Sequence, residues 1–319
     1  AIKEQLQSGQ IGNIVLFDYD VPTKKADRNV ASPEQVKALV NNLQSLATTP
    51  LMVAIDQEGG RVNRLKAAYG FPALPSAQYL GTLNDLDSTS HYAQLNAKNL
   101  RSLGINVNFA PVVDINSNPD NPVIGGIERS FLADPEQVTT HSRVWVEAHQ
   151  EKGILSVLKH FPGHGSSTSD SHVGFTDITN TWQPDELQPY QTLLEEDLLL
   201  GVMTAHVFNR SIDSIYPATL SPEYIQGILR NDLGFEGIVF SDDIQMKAVN
   251  ALFEFDVIIE QALKAGVDVL VCGNNLEYDE SMAPKMITTI RRLMKEGKVS
   301  PERLMASYER VQAVKGNVY

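Results

Sequence analysis

The chain has 319 residues, a formal net charge of −13 and an apolar fraction of 42%. This size suits one large domain or two ordinary ones, and the composition is typical of a globular protein with a sizeable core. The excess of acidic residues argues against nucleic acid and anionic membranes as partners. No apolar run approaches the roughly 18–20 residues that are needed to span a bilayer.

Cys272 is the only cysteine, so no internal disulfide can form and the fold does not require an oxidising compartment. It lies in an apolar run, which predicts a buried and unreactive thiol. We expect a cytoplasmic monomer, with the periplasm or secretion as alternatives because the sequence starts without a methionine. No linker or shift in composition divides the chain, so we predict a single catalytic domain over residues 1–319.

Short apolar runs, rich in Ile, Val and Leu without clean alternation, predict parallel strands that are covered on both faces. There are seven of them: Ile14–Phe17, Leu51–Ile55, Ile105–Phe109, Ile154–Leu158, Val202–Ala205, Ile238–Phe240 and Val267–Val271. Helices are predicted between them, and several begin with a capping side chain followed by proline at the first helical position. These starts are Ser32-Pro33, Asp134-Pro135, Ser221-Pro222 and Ser300-Pro301.

Alternating strands and helices are compatible with an open doubly wound sheet or with a TIM-type (β/α)8 barrel. Polar residues follow nearly every predicted strand, and neither GxGxxG nor GxxxxGK[ST] occurs after any of them. Both observations favour the barrel, in which all the loops after the strands face one site. Seven runs are one too few, and Ile2–Gln10 reads as a helix leading into the first run. We therefore expect the first strand to be missing from this chain.

The stretch from Lys159 to His172 starts at a strand end and continues into a loop rich in Gly, Ser and Thr. Asp170 lies two residues before His172, close enough for the carboxylate to orient the imidazole and raise its basicity, which produces an acid/base near neutral pH. A polar surface loop is one alternative. A zinc site formed by His160, His164, Asp170 and His172 is another.

Two further strand ends carry carboxylates. Asp242 and Asp243 follow the run Ile238–Phe240 and suggest a nucleophile or base. We expect Asp243 to cap the helix that follows, although spacing alone does not separate the two. Asp56 can accept hydrogen bonds from adjacent sugar hydroxyls, and Arg64 could hold that carboxylate or the ligand. An ion-paired turn is the alternative for this second pair.

Taken together, these segments resemble glycoside hydrolase family 3, and specifically its bacterial β-N-acetylhexosaminidase branch. The resemblance covers most of the chain. Its landmarks follow in order as Asp56-Gln57-Glu58-Gly59-Gly60-Arg61-Val62, Asn108-Phe109-Ala110-Pro111-Val112-Val113-Asp114, Glu128-Arg129-Ser130-Phe131, Lys159 to His172, Ala205-His206-Val207 and Phe240-Ser241-Asp242-Asp243. A match of this length and order is more specific than any single short motif.

The resemblance implies a retaining exo-β-N-acetylglucosaminidase. Asp242 would attack the anomeric carbon, and His172, assisted by Asp170, would act as acid and then base. A mobile loop at Ser166–Ser169 would carry the histidine over the substrate. The substrate would be a glycan or muropeptide that ends in β-linked N-acetylglucosamine, and no cofactor is expected. The sugar-binding residues that the resemblance implies are Asp56, Arg64, Arg129, Lys159 and His160.

The resemblance also bears on what this sequence lacks. The family's barrel normally starts with a strand before the segment matching Ile2–Phe17, which agrees with the count of seven. The second αβα domain of family 3 β-glucosidases, which supplies their acid/base, has no counterpart here and argues against that activity. Three other functions stay open: a glycoside phosphorylase, a metal-dependent hydrolase using His160, His164 and His172, and an inactive sugar-binding relative.

Overall fold

The computed structural model describes residues 2–26 and 28–318. Their α-helices are α1 Ile2–Gln7, α2 Pro33–Leu46, α3 Ala77–Leu83, α4 Leu86–Leu103, α5 Pro135–Gln150, α6 Gln188–Glu195, α7 Lys247–Asn250, α8 Phe255–Ala265, α9 Met282–Lys295 and α10 Pro301–Val318. A ten-residue π-helix spans Glu223–Asp232. Within the described ranges, no helix is both long enough and apolar enough to cross a membrane.

The strands are β1 Asn13–Leu16, β2 Tyr19–Asp20, β3 Lys25–Ala26, β4 Met52–Ile55, β5 Gln57–Gly59, β6 Val62–Asn63, β7 Val107–Asn108, β8 Leu155–Phe161, β9 Gly201–Thr204 and β10 Ile238–Phe240. Six of them form one parallel sheet in the order β1-β4-β7-β8-β9-β10. The spatial order follows the chain order, without the reversal that defines a doubly wound sheet. The sheet is curled and helix-covered, as in a (β/α)8 barrel that lacks a strand, which confirms the predicted fold class.

The seventh predicted strand, Val267–Val271, is wrong as a strand, because it pairs with β10 only through the bridge between Phe240 and Val269. Side chains take the place of backbone partners on both sides of that bridge. Val239 N donates to the Asp268 carboxylate (3.0 Å), and Val271 N donates to the Ser241 hydroxyl (2.8 Å). The segment is extended and lies beside β10, but these substitutions interrupt the ladder.

Side chains connect the two edges of the curled sheet at its carboxyl end. The Asn275 side chain donates to Tyr19 O (2.9 Å) in the hairpin that follows β1. Arg28 donates to Asn274 O (2.9 Å) from the same region. In the part of the chain that the structure describes, no strand ladder joins these edges. The gap is therefore crossed by loops at the end of the barrel where the strands terminate.

The core forms two layers on either side of the sheet. One cluster lines its inner face with Met52, Ala54, Val107, Phe109, Leu155, Val157, Met203, Ile238, Phe240 and Val314. Val314 belongs to α10, and the next residue, Lys315, donates to Pro50 O (2.8 Å) just before β4. The end of α10 therefore closes the amino-terminal end of the barrel. The outer face packs against the surrounding helices.

Three of the four predicted helix caps are confirmed. Ser32, Asp134 and Ser300 accept from backbone N–H groups of the first turn of α2, α5 and α10. The cap at Ser221 is wrong, because its hydroxyl is buried without a hydrogen-bond partner. The chain there forms the π-helix instead, whose turn differs from the α-helical turn that a serine cap fits.

Candidate active site at the carboxyl end of the sheet

A buried ionic network occupies the ends of β4 and β8. Lys159 Nζ lies 2.8 Å from Asp56 Oδ1 and 2.6 Å from Glu58 Oε1. Arg64 approaches the other oxygen of Asp56 at 3.4 Å. Burial alone would raise the pKa of Asp56, but Lys159 and Arg64 outweigh it and hold that pKa well below its usual range. Asp56 is therefore an ionised acceptor that is fixed in place and still 18% exposed.

Arg129 extends this network from the loop before α5. Its Nε and Nη2 donate to the two oxygens of Glu58, both at 2.8 Å, and Nη1 donates to Val123 O at 3.0 Å. Burial disfavours both charges, yet the pair holds the pKa of Glu58 low and that of Arg129 high. A buried bidentate pair of this kind fixes geometry on both partners. Arg129 is only 9% exposed.

His160 is held as a neutral imidazole. Its Nε2 lies 3.2 Å from Arg129 Nη2, which can only donate, so Nε2 accepts and Nδ1 carries the proton. Nδ1 donates to Asp114 Oδ2 at 2.6 Å. Burial, with Arg129 and Lys159 nearby, lowers the pKa of His160 well below its ordinary value. Asp114 also accepts from the backbone N–H of His164 at 2.7 Å, so it fixes the start of the following loop.

His164 anchors that loop at two points. Its Nδ1 lies 2.8 Å from Ser167 Oγ, and its Nε2 lies 3.0 Å from Ser171 Oγ. The Asn121 side chain adds a bond to His164 O at 2.7 Å. Ser166 and Ser167 are buried, so the base of the loop is packed. The predicted mobility of Ser166–Ser169 stays a prediction.

The Asp170–His172 pair forms as the spacing predicts. One oxygen of Asp170 accepts from both the backbone N–H (2.7 Å) and Nδ1 (2.9 Å) of His172. Desolvation would lower the pKa of His172, but the bond to Asp170 and the charge of Asp242 raise it overall. The side chain is 53% exposed. Nδ1 is committed to Asp170, so Nε2 is the nitrogen that can exchange a proton with a ligand.

The two carboxylates after β10 have different surroundings. Asp243 Oδ1 accepts from Gln245 N (3.0 Å) and Gly273 N (3.2 Å), and burial raises its pKa to about 6. Within the described residues, Asp242 accepts a hydrogen bond only from the neighbouring N–H of Asp243, at 2.7 Å. Burial opposes its charge, but His206, His160 and His172 lower its pKa below the ordinary value. Asp242 is thus ionised, and it accepts fewer hydrogen bonds than Asp243 does.

The expectation that Asp243 caps the next helix is wrong. The residue that precedes α7 is Met246, and it makes no side-chain cap. Asp243 instead joins the loop after β10 to Gly273 in the loop that follows the seventh extended segment. The nearby His206 donates from Nε2 to Asp243 O (3.0 Å), and burial lowers its pKa. His206 therefore helps to fix the backbone that presents Asp242.

The described residues do not form the zinc site that was the alternative for this stretch. Within residues 2–26 and 28–318, no group of three or more His, Cys, Asp or Glu side chains is arranged to hold a metal ion. Both ring nitrogens of His160 and of His164 are directed at protein side chains, and Nδ1 of His172 faces Asp170. These three imidazoles therefore do not converge on a common point.

Glu186 is a buried carboxyl beneath the loop, 4% exposed, whose Oε2 lacks a hydrogen-bond partner. It packs against Gly163, where an added Cβ would clash with that oxygen. Burial raises the pKa of Glu186 from 4.5 to about 7, and the charge of Asp114 adds to the rise. The folded protein therefore keeps a proton between these pH values that the unfolded chain has already released.

This difference predicts that Glu186 makes the protein less stable as the pH rises from about 4.5 to about 7. The contribution over that window is about 3 kcal/mol. Glu186→Gln keeps the shape but cannot ionise, so it should remove this part of the pH dependence. Urea unfolding of both proteins at pH 5 and pH 7.5 measures it. An unchanged difference between the two pH values would contradict the assignment.

The structure brings all eight predicted site residues to one end of the sheet: Asp56, Arg64, Arg129, Lys159, His160, Asp170, His172 and Asp242. Three participants were missed as site residues, namely Glu58, Asp114 and His206. Each lies shortly after the end of a predicted strand, and that position was the available signal. The sequence does not show the direction in which each side chain points.

The chain matches the model of the family described as glycosyl hydrolase family 3 N terminal domain over residues 1–314. A β-hexosaminidase of Nitrosomonas eutropha is 36% identical over 290 residues, which cover 86% of this chain and 78% of that protein. A β-hexosaminidase of Alkalilimnicola ehrlichii is 37% identical over 277 residues, which cover 84% of this chain and 75% of that protein.

A solved structure of a family 3 β-N-acetylglucosaminidase from Paenibacillus sp. FPU-7 superposes with a TM-score of 0.89 at 33% identity. That similarity covers 99% of this chain but only 58% of the Paenibacillus chain, so this chain spans a little over half of it. A β-N-acetylhexosaminidase from Beutenbergia cavernae superposes with a TM-score of 0.86 at 28% identity, covering 99% of this chain and 92% of that one. The chain belongs to glycosyl hydrolase family 3, and its enzyme class is glycoside hydrolase.

Proposed function

We propose that the chain is a retaining exo-β-N-acetylglucosaminidase, in which Asp242 is the nucleophile and His172 is the acid and base. The observation that carries this proposal is the Asp170–His172 pair, whose exposed imidazole is electrostatically coupled to the ionised Asp242. The preference for an N-acetylated sugar is supported by the resemblance and by the names of the relatives.

In the first step, Asp242 attacks the anomeric carbon, and His172 Nε2 donates its proton to the departing oxygen. A nucleophilic carboxylate must be ionised, and the lowered pKa of Asp242 meets this requirement. A general acid must hold a proton near neutral pH, and the raised pKa of His172 serves that need. In the second step the now neutral imidazole takes a proton from a water molecule as that water attacks the anomeric carbon. The bond to Asp242 breaks, and the sugar is released with retained configuration.

Asp56 is the acceptor for sugar hydroxyls in this proposal. It is ionised, partly exposed and fixed between Lys159 and Arg64, so its oxygens are aligned before the substrate arrives. Arg64 is the most exposed cation of the group, at 28%, and can contact the ligand itself. Lys159, Arg129 and His160 are buried. Their contribution to sugar binding acts through the carboxylates that they hold.

Hydrolysis of nitrophenyl glycosides tests the proposal. We expect nitrophenol release from the β-N-acetylglucosaminide to be at least about a hundredfold faster than from the β-glucoside, because the proposed specificity requires contacts that a glucoside, which lacks the N-acetyl group, cannot make. Nuclear magnetic resonance of early products should show free N-acetylglucosamine in the β-configuration. Preferential cleavage of the glucoside would contradict the sugar assignment.

The same assay with added inorganic phosphate separates hydrolysis from phosphorolysis. We expect an unchanged rate and no sugar phosphate. A phosphate-dependent rate with a sugar phosphate as the product would make the chain a phosphorylase.

The cytoplasmic location, the monomeric state and the single-domain organisation stay predictions.

A further inference from the structure

Exposed apolar side chains follow the Asp170–His172 pair directly. Val173 is 70% exposed and Phe175 is 42% exposed. The carbonyl of Asp170 accepts from the backbone N–H groups of Val173 (3.2 Å) and Gly174 (3.3 Å), so the chain turns tightly immediately after the pair. Consecutive Cα atoms are about 3.8 Å apart. The exposed Val173 side chain therefore starts about one Cα spacing from His172, on the turn that follows the pair.

Phe175 is held by the loop that follows β9. Ile178 N donates to Phe208 O at 2.7 Å, and Phe208 N donates to Thr176 O at 2.8 Å. The rings of Phe175 and Phe208 lie 4.4 Å apart between centroids, and Phe208 is buried. Phe175 is thus anchored on a buried ring while part of its own surface stays open. A fixed aromatic surface of this kind loses little conformational entropy when a ligand packs on it.

The loops after β9 and after α7 carry further exposed apolar side chains. Ile215 is 63% exposed in the loop after β9, and Leu252 is 49% exposed after α7. The rings of Tyr216 and Phe253, one beside each of them, lie 5.5 Å apart between centroids. Clusters of exposed apolar groups at a rim mark binding surfaces more often than isolated ones do.

We propose that Val173 and Phe175 form the subsite for the leaving group, and that this subsite takes aglycones with an apolar face, such as an aryl group or the C–H face of a second pyranose. The inference rests on the proposed function, because it places His172 at the glycosidic oxygen. A general acid must come within about 3 Å of that oxygen. The group on the far side of the oxygen then lies against the residues that flank His172.

The test compares Val173→Ser and Phe175→Ser on two substrates, 4-nitrophenyl β-N-acetylglucosaminide and N-acetyl-β-glucosaminyl fluoride. The fluoride carries no aglycone to fill the subsite. The value of kcat/KM reports the step in which the aglycone is still attached. We expect each variant to lose about tenfold in kcat/KM for the aryl glycoside, the effect of exposing about 50 Å² of apolar surface. The loss for the fluoride should be at least fivefold smaller.

Tyr308→Ser is the matched control, because Tyr308 is 60% exposed on α10, whose end closes the opposite end of the barrel. It should leave both rates unchanged. Equal losses for both substrates would mean that Val173 and Phe175 only position His172, which would overturn the subsite, as would the absence of any loss for the aryl glycoside. Failure of the proposed function would show differently, as a wild-type enzyme that cleaves neither substrate.

Discussion

Asp242→Asn is expected to reduce the turnover of an aryl β-N-acetylglucosaminide by about 10⁴-fold or more, because an amide cannot form the covalent glycosyl intermediate. Folding should be unaffected, since the amide oxygen can retain the hydrogen bond that Asp242 accepts from Asp243 N. The measurement is steady-state release of nitrophenol, with circular dichroism to confirm the fold. Turnover within tenfold of the wild type would show that another group attacks the sugar.

The adjacent residue gives an isosteric control for this prediction. Asp243→Asn keeps an oxygen to accept from Gln245 N and Gly273 N, the two bonds that tie the loops together. We expect it to retain activity within about tenfold of the wild type, a loss of about 1.4 kcal/mol. If Asp243→Asn were the inactive variant and Asp242→Asn the active one, the two roles would be exchanged.

His172→Ala is expected to have the second largest effect, and its size should depend on the leaving group. For a disaccharide, whose departing sugar oxygen needs a proton, kcat/KM should fall by about a thousandfold. For the nitrophenyl glycoside, whose leaving group departs as a stable anion, the fall should be about tenfold. The measurement is kcat/KM for the two substrates with the same variant. An equal loss for both would argue against general acid catalysis by His172.

Asp170→Asn tests the partner of that histidine through the pH profile. The carboxylate of Asp170 raises the pKa of His172, so its removal should lower that pKa. Because the protonated imidazole is the form that donates, activity should then decline from a lower pH. The alkaline limb of the kcat/KM profile, which reports the free enzyme, shows this displacement. A profile with an unmoved alkaline limb would mean that Asp170 does not control the ionisation of His172.

Local sequence was sufficient for several interactions between groups that are close along the chain. The Asp170–His172 bond follows from a separation of two residues and forms as predicted. The Ser32 cap accepts from the N–H three residues later, another interaction that one turn of helix dictates. Six strands and their parallel order also follow from apolar runs separated by helices.

Predictions from the sequence were wrong where groups distant along the chain replaced the interactions that the local pattern predicts. The run Val267–Val271 has the composition of a strand, but Asp268 and Ser241 side chains take over its ladder positions. Asp243 is of a residue type that often caps helices, but its carboxylate accepts from Gly273 N, thirty residues away. Glu186 gave no local signal at all, because its raised pKa arises from burial beneath a loop whose packing the sequence does not reveal.

The sequence by itself determined the barrel class, the end of the sheet that carries the site and the residue types gathered there, because strand ends and loops are local features. Only the tertiary structure decided which carboxylate is free. Asp242 and Asp243 are neighbours of identical chemistry, and most of the groups that distinguish them come from distant parts of the chain. His206, His160 and His172 favour the charge of Asp242, while Gln245 N and Gly273 N engage Asp243. Long-range contacts fix such differences, and residue order does not encode them locally.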